Sequence, residues 1–264
     1  MAMIFDSHAH YDDEAFNVDR DELLASLPAQ GVGAAINAAT DPDSAVRCLR
    51  MAATYPHLYA AVGIHPEAVG RGTDDWLTRI ARLAREPKAV AIGEIGLDYH
   101  YDDAAPREVQ RQWFRRQLAL AREMNLPVIV HDRDAHEDVL NLLREYRPRG
   151  VVHCFSGSVE MMREVVALGM YIGLGGATTF KNAKRPAAVA AAVPADRLLL
   201  ETDAPYMAPE PCRGHRCDSS LIRHTAARIA ELRGVSTEEL LEQTYANAER
   251  LFFAEMINFL VKNA

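Results

Sequence analysis

Eight short apolar runs alternate with longer amphipathic segments along this 264-residue chain, and this alternation constrains the fold most. Strands that alternate with helices form a parallel sheet, because each connection crosses back over the sheet. Eight such units, in a length typical of one barrel, predict an α/β fold: a single (β/α)8 TIM barrel domain over residues 1–264. A doubly wound open sheet is the alternative, but eight strands lie near its upper size. The expected strands are Met3–His10, Gly33–Ala39, Leu58–His65, Ala89–Leu97, Pro127–His131, Val151–Phe155, Met170–Gly175 and Arg197–Thr202.

Apolar residues recur at helical spacing in the segments between the strands. Clear examples are Asp19–Gln30, Ser44–Tyr55 and Pro106–Asn125, the last with proline at a favourable first helical position. After the eighth strand, three more helices are expected, at Ser219–Arg233, Ser236–Thr244 and Ala246–Val261.

Composition limits the classes of function. With 29 basic and 37 acidic residues the net charge is -8, so the surface as a whole would repel a long polyanion. A local cleft with metal ions could still bind one or two phosphates. The first residues lack the basic and apolar pattern of a signal peptide, and no apolar run approaches the roughly 18 residues that a membrane span needs. Four scattered cysteines suit a reducing compartment. We therefore expect a cytoplasmic protein without a membrane or an obligate protein partner.

Polar residues that can bind metals close five of the predicted strands. In a barrel, the carboxyl ends of all strands point to one mouth, where active sites form. Five distant segments should therefore converge there. These residues are His8, His10, Glu94, His131, His153, Glu201 and Asp203.

Spacing strengthens this interpretation. His8 and His10 lie two apart in an extended segment, as do Glu201 and Asp203, so each pair faces one side of its strand. The two histidines could share one cation or flank a pair of cations. Asp203 could bind a metal and accept the proton of a bound water molecule. A carboxylate buried after an apolar run, such as Glu94, needs a cation or hydrogen-bond donors, and it could bridge two metals. The alternatives are solvated strand-end histidines and a structural salt bridge.

The donor set indicates the metal. Nitrogen-rich sites with carboxylates suit Zn²⁺ or Mn²⁺, whereas Mg²⁺ prefers oxygen ligands. Two divalent cations together could stabilise both the attacking and the leaving oxygen of a displacement. The sequence leaves open which metal binds, and whether one or two ions do.

Seven motifs, in order, resemble the TatD-type metal-dependent deoxyribonuclease family of the amidohydrolase superfamily. They are FDSHAHYDD, GIHPE, IGEIGLDY, VIVHDRDA, VHCFSG, GLGGATTFK and LLLETDAPY, and they span Phe5 to about Phe252. The resemblance implies two metal ions, with His8 and His10 on one, His131 and His153 on the other, and Glu94 between them. It places Asp203 beside the nucleophilic water, as ligand and catalytic residue. His65 and Glu201 match family positions that are either supporting residues or ligands of an additional metal.

One loop departs from the family pattern. Where the family commonly has Arg-Gly-x-x-Asn-x-Pro, Arg213 and Gly214 persist, but Cys217 and Ser219 replace the asparagine and proline. Loops after the seventh and eighth strands of barrels often bind phosphate, which makes Lys181 and Arg213 candidate phosphate contacts. Tyr99 and Tyr206 could stack on a terminal base.

These observations predict a metal-dependent hydrolase of ester bonds, a deoxyribonuclease that attacks DNA ends or a small phosphoester. A cleft within an acidic surface accepts the free end of a DNA strand more easily than the middle of a duplex, so we expect an exonuclease. The alternatives are a hydrolase of a small ester, lactone or amide, and a non-catalytic interaction protein stabilised by metal.

Overall fold

A computed structural model describes residues 2–254 of the chain. Eight parallel strands follow one another in chain order around a single sheet, β1 beside β2 and so on to β8. The predicted strand order and number are therefore confirmed. The strands are β1 (Ile4–Ala9), β2 (Val32–Ala38), β3 (Leu58–Val62), β4 (Ala89–Asp98), β5 (Val128–Arg133), β6 (Gly150–Val152), β7 (Tyr171–Leu174) and β8 (Leu198–Leu200).

The sheet closes through the residues that follow β1 and β8. Asp203 N donates to His8 O at 2.9 Å, and His10 N donates to Ala204 O at 2.7 Å. The Ser7 hydroxyl also donates to Leu200 O at 3.1 Å. These bonds join the last strand to the first, so the sheet forms the expected barrel rather than an open sheet.

Helices cover the outside of the barrel. They are α1 (Arg20–Ser26), α2 (Pro42–Thr54), α3 (Asp74–Leu83), α4 (Arg107–Met124), α5 (His136–Tyr146), α6 (Val159–Ala167), α7 (Lys184–Ala192), α8 (Ile222–Arg233) and α9 (Thr237–Phe252). Asp41 and Ser236 are the N-cap residues of α2 and α9. Their side chains accept hydrogen bonds from backbone N–H groups of the first helical turn. In residues 2–254, every helix is too short or too polar to cross a lipid bilayer.

The C-terminal helices differ from the prediction. A single helix, α9, replaces the two expected at Ser236–Thr244 and Ala246–Val261. Neither glycine nor proline separates them, so nothing ends the first helix at Thr244. The end of the second predicted helix, residues 255–261, lies outside the described residues.

The barrel interior is apolar at one end and polar at the other. Ile129, Val151 and Leu199 belong to one buried cluster, which also contains Phe5 and Phe252 at the amino ends of the strands. Side chains on a strand alternate between its two faces. The residues two positions further along β5, β6 and β8 therefore continue the same inward row toward the carboxyl ends. Those residues are His131, His153 and Glu201.

Candidate metal centre

A cavity of about 970 Å³ opens at the carboxyl ends of the strands. Every strand except β7 contributes to its lining, through its carboxyl end or through the segment that follows it. Histidines and carboxylates from six of these segments line it together, namely His10, His65, Glu94, His131, His153 and Asp203. The predicted convergence of distant strand ends is therefore present in the fold.

Four side chains form a first group around one oxygen of Glu94. His8 Nε2 and His10 Nε2 are 3.0 Å apart, and they lie 3.2 and 3.3 Å from Glu94 Oε2. Asp203 Oδ1 is 3.5 Å from the first of these nitrogens and 3.4 Å from the second. The Asp203 side chain is 21% exposed and that of His10 11%, whereas His8 is fully buried, so Asp203 is the most exposed member of this group.

A second group surrounds the other oxygen of Glu94. Oε1 lies 2.7 Å from His131 Nδ1 and 2.6 Å from His153 Nε2, and these two nitrogens are 3.3 Å apart. His65 Nε2 is 3.5 Å from the same oxygen. The sequence left the role of His65 open; the structure places it in this group.

These spacings fit divalent cations. Two ligands of one tetrahedral zinc ion, each bound at about 2.0–2.1 Å, lie about 3.3 Å apart. The distances in the first group, 3.0–3.5 Å, are close to this separation, whereas Glu94 Oε1 lies at the shorter distances of 2.7 and 2.6 Å from its two nearest nitrogens in the second group. The donor atoms form three overlapping sets that could each hold an ion. The sets are His8, Glu94 and His153; His8, His10 and Asp203; and His65, Glu94 and His131. Glu94 belongs to two sets, as a carboxylate shared between ions would.

The electrostatics of the centre favour added positive charge. Burial opposes ionisation of Glu94, but the surrounding histidines hold its pKa well below the usual value, so it is an anion. Burial alone would lower the pKa of His131, yet hydrogen bonds with Asp98 and Glu94 raise it to about 10. Burial lowers the pKa of His8 to about 4, which keeps this imidazole neutral with a lone pair to donate. A divalent cation would supply the charge that the buried carboxylates attract.

Contacts behind the cluster fix the orientation of two rings. His10 Nδ1 donates to Ala38 O at 2.9 Å, which leaves Nε2 free to bind a metal. His131 Nε2 donates to Asp98 Oδ2 at 2.9 Å, which leaves Nδ1 facing Glu94. The sequence analysis missed the role of Asp98. Its position, four residues after Glu94 on β4, is the signal that could have indicated it.

We expect Asp98→Ala to weaken metal binding about 10- to 100-fold, because partners that orient ligating histidines commonly contribute this much. Isothermal titration of metal-free protein with Zn²⁺ or Mn²⁺ measures the change. Asp103→Ala, in the exposed loop after β4, is the matched control and should bind as the wild type does. Equal affinities for all three proteins would show that Asp98 does not orient His131.

A glycine lets β4 approach β5 closely beside the cluster. Gly96 pairs with His131, and its φ of +149° is one that residues with side chains rarely adopt. A Cβ atom here would lie 2.0 Å from His131 O. The register that sets His131 against Glu94 and Asp98 therefore depends on glycine at this position.

A buried network supports the ends of β1 and β8. Asp6 Oδ2 accepts hydrogen bonds from the hydroxyls of Thr202 and Ser219, both at 2.7 Å, and Asp6 Oδ1 accepts from His8 N at 3.1 Å. Burial raises the pKa of Asp6 to about 6 despite these bonds. Ser219 belongs to the loop that departs from the family pattern. In this chain the loop therefore supports the segment that carries His8.

Glu201 lies apart from the three candidate ligand sets. It is 1% exposed, and its Oε1 accepts a hydrogen bond from Cys154 N. Oε2 is buried and has no hydrogen-bond partner in the described part of the chain. Burial raises the pKa of Glu201 to about 8. This carboxyl group lies behind the cluster, where it supports the turn at Cys154.

The predicted phosphate contacts lie elsewhere. Neither Lys181 nor Arg213 lines the cavity, and the Arg213 guanidinium instead covers the Phe180 ring at 4.3 Å. The basic residues that do line it are Arg47, Arg71 and Arg133. The order of the loops along the chain does not indicate these three, because Arg47 lies on α2 and Arg133 on β5.

Comparisons with known proteins agree with this centre. The family model described as TatD related DNase matches residues 5–253. An uncharacterized metal-dependent hydrolase of Bacillus subtilis, YabD, is 42% identical over 95% of this chain and 99% of its own length. The 3'-5' ssDNA/RNA exonuclease TatD of Klebsiella pneumoniae is 37% identical over 94% of this chain and 97% of its own length. The crystal structure of YJJV, a TatD homologue of Escherichia coli, superposes with a TM-score of 0.89 at 35% identity, covering 94% of this chain and 97% of that one.

The family match spans nearly the whole chain and includes every residue of the centre described above. The curated relatives are matched along almost their full length. The chain therefore belongs to the TatD-related DNase family of metal-dependent hydrolases.

Proposed function

We propose that this protein is a two-metal exonuclease that hydrolyses the terminal phosphodiester bonds of single-stranded DNA. The observation that carries the proposal is Glu94, a buried carboxylate with imidazole nitrogens of different strands beside both of its oxygens. The relative from Klebsiella pneumoniae is named as an exonuclease of single-stranded DNA and RNA, which supports this substrate class.

The proposed ligands divide between two ions. His8, His10 and Asp203 would hold the first, His131 and His153 would hold the second, and Glu94 would serve both. His65 adjoins the second group through Glu94. Four nitrogen donors with two carboxylates suit Zn²⁺ or Mn²⁺ better than Mg²⁺. Bound divalent cations supply Lewis acidity, which polarises the phosphate ester and lowers the pKa of water.

Asp203 is the proposed proton acceptor. Burial favours its neutral form, but the hydrogen bond with His10 and the charges of nearby histidines lower its pKa below the usual value. It is therefore ionised at neutral pH. Its carboxylate borders the cavity, where it can orient an attacking water molecule and accept its proton. A backbone hydrogen bond from Asp203 N to His8 O ties the acceptor to the ligand pair of the first group.

The shape and charge of the barrel mouth favour the free end of a DNA strand as substrate. The carboxyl ends of seven of the eight strands, or the segments after them, surround the cavity, so an entering chain is enclosed on most sides. Carboxylates on the β1 and β3 side of the rim, namely Asp12, Asp13, Glu14 and Glu67, would repel a phosphate backbone that crossed the opening. A single terminal nucleotide can enter past them more easily than an internal segment.

The test is hydrolysis of single-stranded DNA labelled at the 5′ or the 3′ end, with Zn²⁺, Mn²⁺ or Mg²⁺ added to metal-free enzyme. We expect stepwise shortening from one end, and resistance of a closed circle of the same sequence. Equal rates on the circle and the linear strand would contradict exonuclease action. Hydrolysis of a lactone or an amide with no cleavage of DNA would support the small-molecule alternative instead.

A further inference from the structure

One arginine of the cavity stands directly above the histidine cluster. Arg133 follows His131 by two positions on β5, so both side chains lie on the same, inward face of the strand. The strand register pairs Arg133 with Asp98, the residue that orients His131. The Arg133 side chain therefore lines the cavity together with the proposed ligands.

Arg133 is also the cavity arginine without an acidic partner. Arg47 lies 3.0 Å from Asp12, and Arg71 lies 3.9 Å from Asp41. Within residues 2–254, no carboxylate oxygen is within 4.0 Å of the Arg133 guanidinium. An anionic substrate would therefore meet a guanidinium that forms no direct ion pair, although the charges of Asp98 and Asp134 act on it from a greater distance.

Tyr101 holds this guanidinium in place. Arg133 Nη1 donates to Tyr101 Oη at 3.0 Å, and the guanidinium carbon lies 4.9 Å from the centre of the Tyr101 ring. A guanidinium has five N–H donors, so most remain available for phosphate oxygens. The Tyr101 ring borders the cavity and is 45% exposed, although large apolar side chains are rarely exposed elsewhere in the described chain.

In the loop after β4, Tyr101 borders the cavity, whereas Tyr99, the tyrosine predicted to stack on a base, does not. The Tyr99 hydroxyl donates to Asp138 Oδ2 at 2.7 Å, and its ring is covered by Arg107 at 4.4 Å. Tyr99 does not line the cavity. The loop after β4 brings the tyrosine two residues later to the rim.

We propose that Arg133 and Tyr101 form a nucleotide subsite next to the metal centre. Arg133 binds a backbone phosphate adjacent to the scissile one, and Tyr101 stacks on the base of that nucleotide. The inference rests on the proposed nuclease function and adds a substrate contact to it. The subsite distinguishes a nucleotide chain from a small phosphodiester, because a small phosphodiester has no second phosphate to reach Arg133.

Steady-state kinetics of Arg133→Gln on two substrates test the subsite. On a single-stranded oligonucleotide we expect KM to rise about tenfold while kcat changes less than threefold. On bis(p-nitrophenyl) phosphate both constants should stay near the wild-type values, which also shows that the variant is folded. Arg133→Lys keeps the charge but lacks the planar fork of N–H donors. Its KM for the oligonucleotide should therefore lie between those of the wild type and Arg133→Gln.

Direct binding provides a readout independent of turnover. Anisotropy of a labelled oligonucleotide should show a Kd about tenfold higher when Arg133→Gln is combined with Asp203→Asn than for Asp203→Asn alone. The slope of log K against log salt should become smaller by about 0.7, the value for one lost phosphate contact on a single strand. Arg107→Gln is the matched control, because Arg107 is an exposed arginine stacked on a tyrosine outside the cavity. It should change neither KM nor Kd.

Each contrary result has a distinct meaning. Unchanged KM and Kd in Arg133→Gln would overturn the subsite, and so would an equal effect of Arg107→Gln. A parallel loss of activity on both substrates would also overturn it, since Arg133 would then support the metal centre. If the wild type hydrolyses bis(p-nitrophenyl) phosphate but no oligonucleotide, the nuclease function fails, and unaltered oligonucleotide binding by the variant then rejects the subsite separately.

Discussion

Asp203→Asn should lower kcat about 10²- to 10⁴-fold, the range that a positioned general base commonly contributes. The substitution keeps the shape of the side chain but removes the oxygen that can accept a proton. Asp203 is the most exposed member of the first group, at 3.4–3.5 Å from the two imidazoles. His8, His10 and Glu94 remain as donors, so the protein should still contain metal. The measurements are the rate on an oligonucleotide and the metal content of the same sample by mass spectrometry.

Glu14→Gln is a suitable control, because Glu14 is an exposed carboxylate of the same cavity outside the histidine cluster. It should retain most of the wild-type activity. If Asp203→Asn loses both activity and all metal, Asp203 acts first as a ligand. If its activity is unchanged, another group accepts the proton and the proposed role is wrong.

The cluster could be predicted from the sequence because two simple periodicities determine it. Alternation of strands with helices predicts a barrel, and a barrel brings its strand ends together. On β5 the period of two places His131 above Ile129, and His153, the residue directly after β6, follows Val151 in the same way. Five separate strand ends with metal-binding residues are consistent with one centre only if the sheet closes. The fold and the candidate site were therefore inferred together.

The contacts that support the cluster depend on details that periodicity does not contain. Asp98 reaches His131 because a register shift between Ile92 and Ile95 displaces β4 against β5. The direction of each loop also decides which cations reach the mouth. Arg133 lies on a strand and faces inward, whereas Arg213 lies on a long loop and packs on Phe180. A rule based on the order of the loops alone selects Arg213 and misses Arg133.

Glu94→Gln should have the largest effect on metal binding, since within residues 2–254 this is the one carboxylate whose two oxygens face both groups. The amide carries no charge, so two cations would lose the shared anion that offsets their repulsion. We expect loss of at least 100-fold in metal affinity and a matching loss of hydrolysis. Asp203→Asn, by contrast, should lose hydrolysis while it retains metal.

Thermal unfolding with and without metal measures this effect without reliance on activity. A ligand at 100 times its Kd stabilises the folded state by about 2.7 kcal/mol, which in a chain of this size raises Tm by roughly 5–10 °C. Glu67 is an exposed carboxylate at the rim, so Glu67→Gln is the control. The wild type and this variant should both show the rise on addition of Zn²⁺ or Mn²⁺. Glu94→Gln should show almost none. An equal rise in all three proteins would mean that the ions bind without Glu94, and the centre would then consist of independent sites rather than a bridged pair.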